Sequence, residues 1–257
     1  MTASKLLSIN TPESWKAGDP LELTLYGVKA TFRYCPPGTF LMGRPEDDED
    51  DEDAEDGCEV GVQHEVTLTR GFWLLETPVT QALWMAVTGK NPSLFRGAYA
   101  RPIENVSWYE CNEFVRKLNN AKVAPDVLFD FPTEAEWEYA CRAGTTSRYN
   151  CGDELTENNA NFNRIIGSST PVKSYAPNAW GFYDMHGNVW EWCSDWYGDY
   201  PRKPTRDPQG PKEGVTRVVR GGCWYYFAFL CRSDSRNNYI SFSRFGCGFR
   251  LALRSLS

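Results

Sequence analysis

The residues best able to do covalent or metal chemistry are nine cysteines and two histidines. Cys35, Cys58, Cys111, Cys141, Cys151, Cys193, Cys223, Cys231 and Cys247 are odd in number and form no C-x-x-C pair. That spacing argues against a zinc ribbon or a complete disulfide framework and leaves buried free thiols as the expected state. His64 and His186 are the only histidines. The run Glu46–Asp56 is acidic everywhere except Ala54. It could hold calcium or meet a basic partner, but a self-repelling, solvated loop is the plainer reading. The chemistry of recognition concentrates in Arg217–Leu253. There Tyr225, Tyr226, Phe227, Phe229, Tyr239, Phe242 and Phe245 follow no helical period and alternate with Arg232, Arg236 and Arg244. A buried pair of terminal strands would also collect such rings. Aromatics mixed with Asn and Ser are equally the composition of a binding paratope.

A second feature favours recognition. Tyr225–Cys247 contains no Lys, Glu, Gln, Met or Trp, types that supply 45 of the other 234 residues. Chance would leave a run of that length without them in roughly one case in a hundred, so something other than packing biases it.

These residues need elements to position them. With 257 residues, 21 Gly, 16 Pro and 10 Trp, the chain can bury a large core using many turns and little long helix. Leu21–Val28 alternates and reads as an edge strand or N-terminal addition. Phe32–Met42 reads as strand, Pro-Pro-Gly turn and strand. His64–Leu75 alternates again, with Val66, Leu68 and Phe72 on one side. Pro78 would open a helix through Val87. Capping boxes at Ser107/Glu110 and Thr133/Glu136 start two more, burying Trp108, Cys111, Phe114, Val115 and Leu118 in one, Trp137, Ala140 and Cys141 in the other. Residues 144–178 carry no regular period, Trp180–Tyr197 reads as a packed turn and strand, and 198–214 as a loop. Arg217–Trp224 and Gly248–Leu253 are the terminal strands. Net charge is −7 with no basic patch, so nucleic acid is excluded as a partner. No stretch is apolar enough to insert into a membrane, and none reads as a leader; the chain is cytoplasmic by default unless a leader has been removed.

Taken in order, these landmarks resemble the formylglycine-generating enzyme (sulfatase-modifying factor) domain family. The resemblance is carried by Phe32–Gly43, Glu76–Thr80 (ETPVT), Pro102–Cys111 (PIENVSWYEC), Leu128–Gly144 (LFDFPTEAEWEYACRAG), Gly181–Trp196 (GFYDMHGNVWEWCSDW) and Arg217–Trp224 (RVVRGGCW). It implies an α+β, C-type-lectin-like domain with little regular structure over residues 31–257. Residues 1–30 would then be the extension, 46–57 an acidic loop and 217–253 the variable region.

The family's oxidase activity uses two copper-binding cysteines after R-G-G-S, the first three positions past the Ser and the second five further on. Here Cys223 replaces the Ser and Tyr226 occupies the first position. Cys231 has the second spacing, but Arg232-Ser233 after it aligns it better with a later segment of the family. One thiolate beside a tyrosine is a poor copper site, so the pair reads as lost and no catalytic residue is expected. Calcium, which the family can bind through this turn, would fall to Asn188 and Glu191. Two side-chain oxygens are few for that ion. The alternative is a left-handed turn at Asn188 and a core arginine on Glu191, so the expectation is no metal and no cofactor. The sulfoxide synthases that carry this domain need a histidine-bearing helical bundle, which this chain lacks.

A narrower resemblance is to the variable proteins of diversity-generating retroelements, which use the same domain. Their variable region reads R-G-G-S-W, three variable sites, Ala, two variable sites, C-R-S, then scattered sites before G-F-R. This chain follows with Trp224, Tyr225-Tyr226-Phe227, Ala228, Phe229-Leu230, Cys231-Arg232-Ser233 and finally Gly248-Phe249-Arg250. Those systems randomise adenines, commonly in Asn codons, which can yield Tyr, Phe, Asp, Ser, Ile, Leu, Gly, Cys or Asn. They cannot yield the five missing types. The resemblance implies exposed ligand-binding positions at Tyr225, Tyr226, Phe227, Phe229, Leu230, Asp234, Asn237, Asn238, Tyr239, Ile240, Ser241, Phe242, Phe245 and Gly246. Trp224, Ala228, Cys231, Arg232, Arg236 and Arg244 would be scaffold, with Arg232 and Arg236 on loop carbonyls or buried acids. The expectation is a non-enzymatic, monomeric binder of an unidentified ligand, a protein by preference. The alternatives are an oxidase of the family type and a degenerate regulatory module.

Overall fold

A computed structural model describes residues 15–46, 48, 61–124 and 127–255. Residues 1–14, most of the acidic run and Cys58 lie outside them. Leu21, Leu23 and Leu25 alternate inward in β1 (Pro20–Leu25), which pairs antiparallel with β2 (Val28–Cys35) across the two-residue turn Tyr26-Gly27, both at positive φ. Pro36-Pro37 then ends β2, and β3 (Gly38–Met42) leaves for a different sheet.

The alternating run 64–75 is not one strand. It divides at Thr69–Gly71 into β4 (His64–Leu68) and β5 (Phe72–Leu75), which join different sheets. Val66, Leu68 and Phe72 nevertheless meet in one core cluster. The first helix, α1 (Gln81–Thr88), starts one turn later than Pro78 because Val79 is already pairing: its N–H donates to Phe249 O and its carbonyl accepts from Ile103 N. Thr80 therefore becomes the N-cap, its hydroxyl accepting from Leu83 N.

Both capping boxes are formed, at α2 (Trp108–Asn120) and α3 (Glu134–Arg142). The α2 helix buries Cys111, Phe114, Val115 and Leu118. In α3 every residue is buried, glutamates included, so its start has no solvent to fall back on. Thr133→Ala is expected to cost about 1–2 kcal/mol in urea unfolding. A change below about 0.3 kcal/mol would show that packing alone holds the helix end.

The remaining strands are β6 (Val127–Asp130), β7 (Trp190–Trp196), β8 (Thr205–Arg206), β9 (Thr216–Arg220), β10 (Arg236–Ile240), β11 (Cys247–Gly248) and β12 (Ala252–Ser255). They build a five-stranded sheet β1-β2-β5-β12-β6, a four-stranded sheet β10-β9-β7-β11 and a three-stranded sheet β3-β4-β8. The two terminal flanks of the aromatic stretch do not pair with each other. β9 sits between β7 and β10, whereas β12 sits between β5 and β6. Among the described residues, 144–178 holds only isolated bridges. The fold is α+β with little regular structure.

Candidate ligand-binding face

The face is a segment in two limbs resting on β7. The first runs from Trp224 through a short 3-10 helix (Ala228–Cys231), and the second is β10 with residues 241–246. Beneath them the fully buried rings of Trp190 and Trp192 form the floor. Tyr226 and Tyr239 stand edge-on to Trp190, at 5.7 and 6.5 Å between centroids, and their hydroxyls share a 3.2 Å hydrogen bond. Tyr225 packs on Tyr226 and Phe245, and Phe227 stacks on Phe229. Phe227, Ile240, Phe242 and Phe245 are exposed, Phe242 at 74%. Tyr225, Tyr226, Phe229, Asn237, Asn238 and Tyr239 are half-buried.

Four positions expected at the surface are buried instead. Leu230 turns inward from the 3-10 helix. Asp234 accepts from Arg232 and Arg44. Ser241 is covered where its carbonyl accepts from Trp108 N at the start of α2. Gly246 sits at φ +69 with its carbonyl accepting from Trp190 N. Of the scaffold residues, Arg244 is half in solvent and pairs with Glu110 of α2 at 2.9 Å, and Ala228 is half-buried rather than fully enclosed.

Cys231, Arg232 and Arg236 do lie beneath the face. Arg232 pairs with Asp234 and with Asp48, which brings the start of the acidic run against the first limb. Arg236 grips Glu134 with Nε and Nη2 at 2.9 and 2.8 Å and gives a third bond to Gly198 O. Glu134 also accepts from Arg220, while Glu138 pairs with Arg220 and Arg142. Arg220 and Arg236 of the terminal stretch are thus neutralised by α3. Attraction from Arg236 and Arg220 holds the Glu134 carboxyl below the usual carboxylate range against the desolvation of its buried site.

Sequence reasoning passed over Glu134 and Glu138 as partners. The signal was present: two glutamates four apart beside Trp137 and Ala140, on a helix otherwise built for burial, with arginines concentrated at the other end of the chain. It also passed over Tyr109, whose ring lies 4.9 Å from Phe242.

The buried thiols are poorly placed for chemistry; among the thiols of the described residues Cys151 alone is exposed. Cys223 and Cys231 are fully buried, and burial pushes the Cys223 thiol up to about 12. Cys141 lies 3.9 Å from His186 Nε2, a spacing that resembles a nucleophile and its base. That nitrogen already accepts from Asn150 N, so Nδ1 carries the proton and donates to Cys231 O. Burial lowers His186 to about 4 and keeps the ring neutral. Asn188 adopts φ +63, its side-chain amide spanning Thr170 N and O. Glu191 accepts from Arg250 and from Trp137 Nε1. Both side chains named for calcium are therefore engaged with protein partners.

The sequence profile of the Sulfatase-modifying factor enzyme 1-like domain matches residues 29–255. The chain belongs to this family. Among its relatives, the formylglycine-generating enzyme of Streptomyces coelicolor is 37% identical over 180 residues, 63% of this chain and 52% of that protein. The serine/threonine-protein kinase pkn1 of Chlamydia pneumoniae is 40% identical over 148 residues, 54% of this chain and 22% of that protein. The chain therefore spans only about a fifth to a half of the length of these relatives. In structure it is similar to Treponema denticola variable protein 1, with a TM-score of 0.79 and 30% identity over 91% of this chain and 99% of that one. PvdO from Pseudomonas aeruginosa follows at 0.78 and 25%, over 94% and 100%. This sulfatase-modifying-factor-type domain thus shares its fold with formylglycine-generating relatives and with a variable protein over almost its full length.

The buried acids of the domain give a pH signature. Asp195, beside Glu134 and desolvated, is raised to about 7. Because its folded-state value lies above its unfolded one, its contribution is complete below about pH 4 and is lost as pH rises through about 7. His186 acts oppositely between about 4 and its unfolded value. Relative to Asp195→Asn, the wild type should lose stability between pH 4 and 7 and run parallel above. A constant difference across that range would refute the assignment.

Proposed function

We propose that this chain is a non-enzymatic ligand-binding protein of the diversity-generating-retroelement type, displaying a diversified face to a protein ligand and acting as a monomer. The observation that carries the reading is the exposure of Phe227, Ile240, Phe242 and Phe245 together, within the stretch that lacks Lys, Glu, Gln, Met and Trp. Clustered exposed rings on a folded domain mark an interface, and Tyr and Phe give large contact area with few rotors. The buried arginine–glutamate pairs under the limbs support it further, since they hold the backbone while leaving the outward side chains free to change. The similarity to Treponema denticola variable protein 1 agrees with it.

Absence of catalysis is supported by Tyr226 standing where the first copper-binding cysteine would, and by the full burial of Cys231. The deciding experiment is sequencing the 3′ end of the gene and its flank across many isolates. Substitutions confined to codons 225–247 and matched to adenines in a nearby repeat are expected. An invariant 3′ end without a repeat sinks the reading. The oxidase alternative is checked by anaerobic copper(I) titration, for which no stoichiometric tight binding is expected. A tight one-to-one complex lost in Cys231→Ala would revive it.

A further inference from the structure

The two limbs are bordered by exposed apolar residues that lie outside the stretch lacking Lys, Glu, Gln, Met and Trp. Leu94, Tyr99, Ile165 and Ile166 are all exposed, Tyr99 at 63%. They come from two loops that reach the first limb together. Phe95 packs edge-on against Trp224 at 5.2 Å. Asn163 N donates to Tyr226 O and Arg164 N to Trp224 O, both at 2.7 Å. The loops are joined to each other by Val172 N to Ala100 O and by Arg101 to Ser168 Oγ. Asn163 and Arg164 are consecutive non-glycine residues in the left-handed region, which costs Arg164 about 1–2 kcal/mol and Asn163 less. The bonds to the limb's carbonyls offset that cost, so this border is built to the shape of the display segment.

Its charge is equally specific. Arg96 and Arg164 are exposed; Arg96 gives its Nε to Ser93 O and its charge acts on the buried Glu104 carboxylate, but no ion pair within 4 Å joins a carboxylate of the described residues to either guanidinium. In a chain of net charge −7, a border with exposed guanidiniums beside exposed Leu, Tyr and Ile is complementary to carboxylates set among apolar side chains.

We infer that this border is a constant half of the binding site: it docks an acidic, apolar element common to all the protein's targets, while the diversified limbs read what varies between them. The inference builds on the display reading and narrows it. Targets are then versions of one class of protein rather than unrelated ligands. The border lies against Trp224, continuous with the limbs, so one partner can cover both.

The test places p-benzoylphenylalanine at Tyr99, Ile166 or Phe242 of the full chain and irradiates it with intact cells and lysates of the source organism. All three positions should label the same polypeptide, with the peptide labelled from Tyr99 and Ile166 carrying Asp or Glu beside apolar residues. Tyr99→Ser combined with Ile166→Ser, both surface changes, should reduce labelling from Phe242 about tenfold. The same loss should appear in versions differing at Phe227, Ile240 and Phe245. Labelling from Phe242 alone, or unchanged by the double variant, overturns the inference and leaves the display reading standing. Co-sedimentation with phosphatidylglycerol vesicles that the double variant abolishes overturns it in favour of a membrane contact. No specific label from any of the three positions removes both.

Discussion

Glu134→Gln is expected to lower folding stability by about 3–5 kcal/mol, because it leaves two buried guanidiniums without their shared carboxylate. Arg220 is fully buried and Arg236 nearly so, and both reach Glu134 at about 3 Å or less. For a domain of this size the loss corresponds to a fall of roughly 6–20 °C in Tm. It is not spread evenly. Arg236 begins β10, the outer strand of its sheet, so amide protection across Asn237–Ile240 should fall before that of β7. Glu22→Gln, at the exposed pair with Lys29, serves as the control and should shift Tm by little. If Glu134→Gln melts within a degree or two of wild type, the ion pairs do not hold the display segment and the burial of its aromatics must.

The expected size of that effect explains what could be read from the chain and what could not. Local signals were reliable: the Ser107/Glu110 and Thr133/Glu136 boxes cap their helices, and Leu21, Leu23 and Leu25 alternate into the core. Long-range pairing was not legible. Thr69–Gly71 separates two strands that a continuous alternation joins, because period alone carries no information about which sheet a strand enters. The terminal flanks looked like partners yet insert into different sheets for the same reason. At the site, the aromatic bias marked a segment in which Phe227, Ile240, Phe242 and Phe245 are exposed, but burial of single residues depends on what lies beneath. Ile240 and Leu230 are equally apolar in sequence; one ends an outer strand in solvent and the other closes the inner side of a 3-10 helix. Glu134 escaped notice because its partners are 86 and 102 residues away.

That difference sets the second large effect. Saturation mutagenesis of codons 225–246, sorted for folded protein, should split the segment by burial rather than by position. At Phe227, Ile240, Phe242 and Phe245 nearly every residue should be accepted, with stability changes within about 0.5 kcal/mol. At Asp234 loss of the carboxylate takes a shared acceptor from the buried Arg232 and Arg44, leaving Arg232 its pair with Asp48, and should cost about 3–5 kcal/mol. Leu230→Ala should cost about 2–5 kcal/mol through the cavity it leaves. Gly246 should accept Asn best and other side chains poorly, since a Cβ there meets Tyr225 at 3.2 Å and the backbone is at φ +69. A diversification process that samples Asn-derived codons at all these sites therefore loses many products to misfolding at 230, 234 and 246. Natural repertoires should then be broad at the four exposed positions and nearly fixed at the buried ones, even where the template carries adenines. Equal tolerance at Phe242 and Asp234 would mean that the segment is not held from below, and the rigid-scaffold account of its binding would fail.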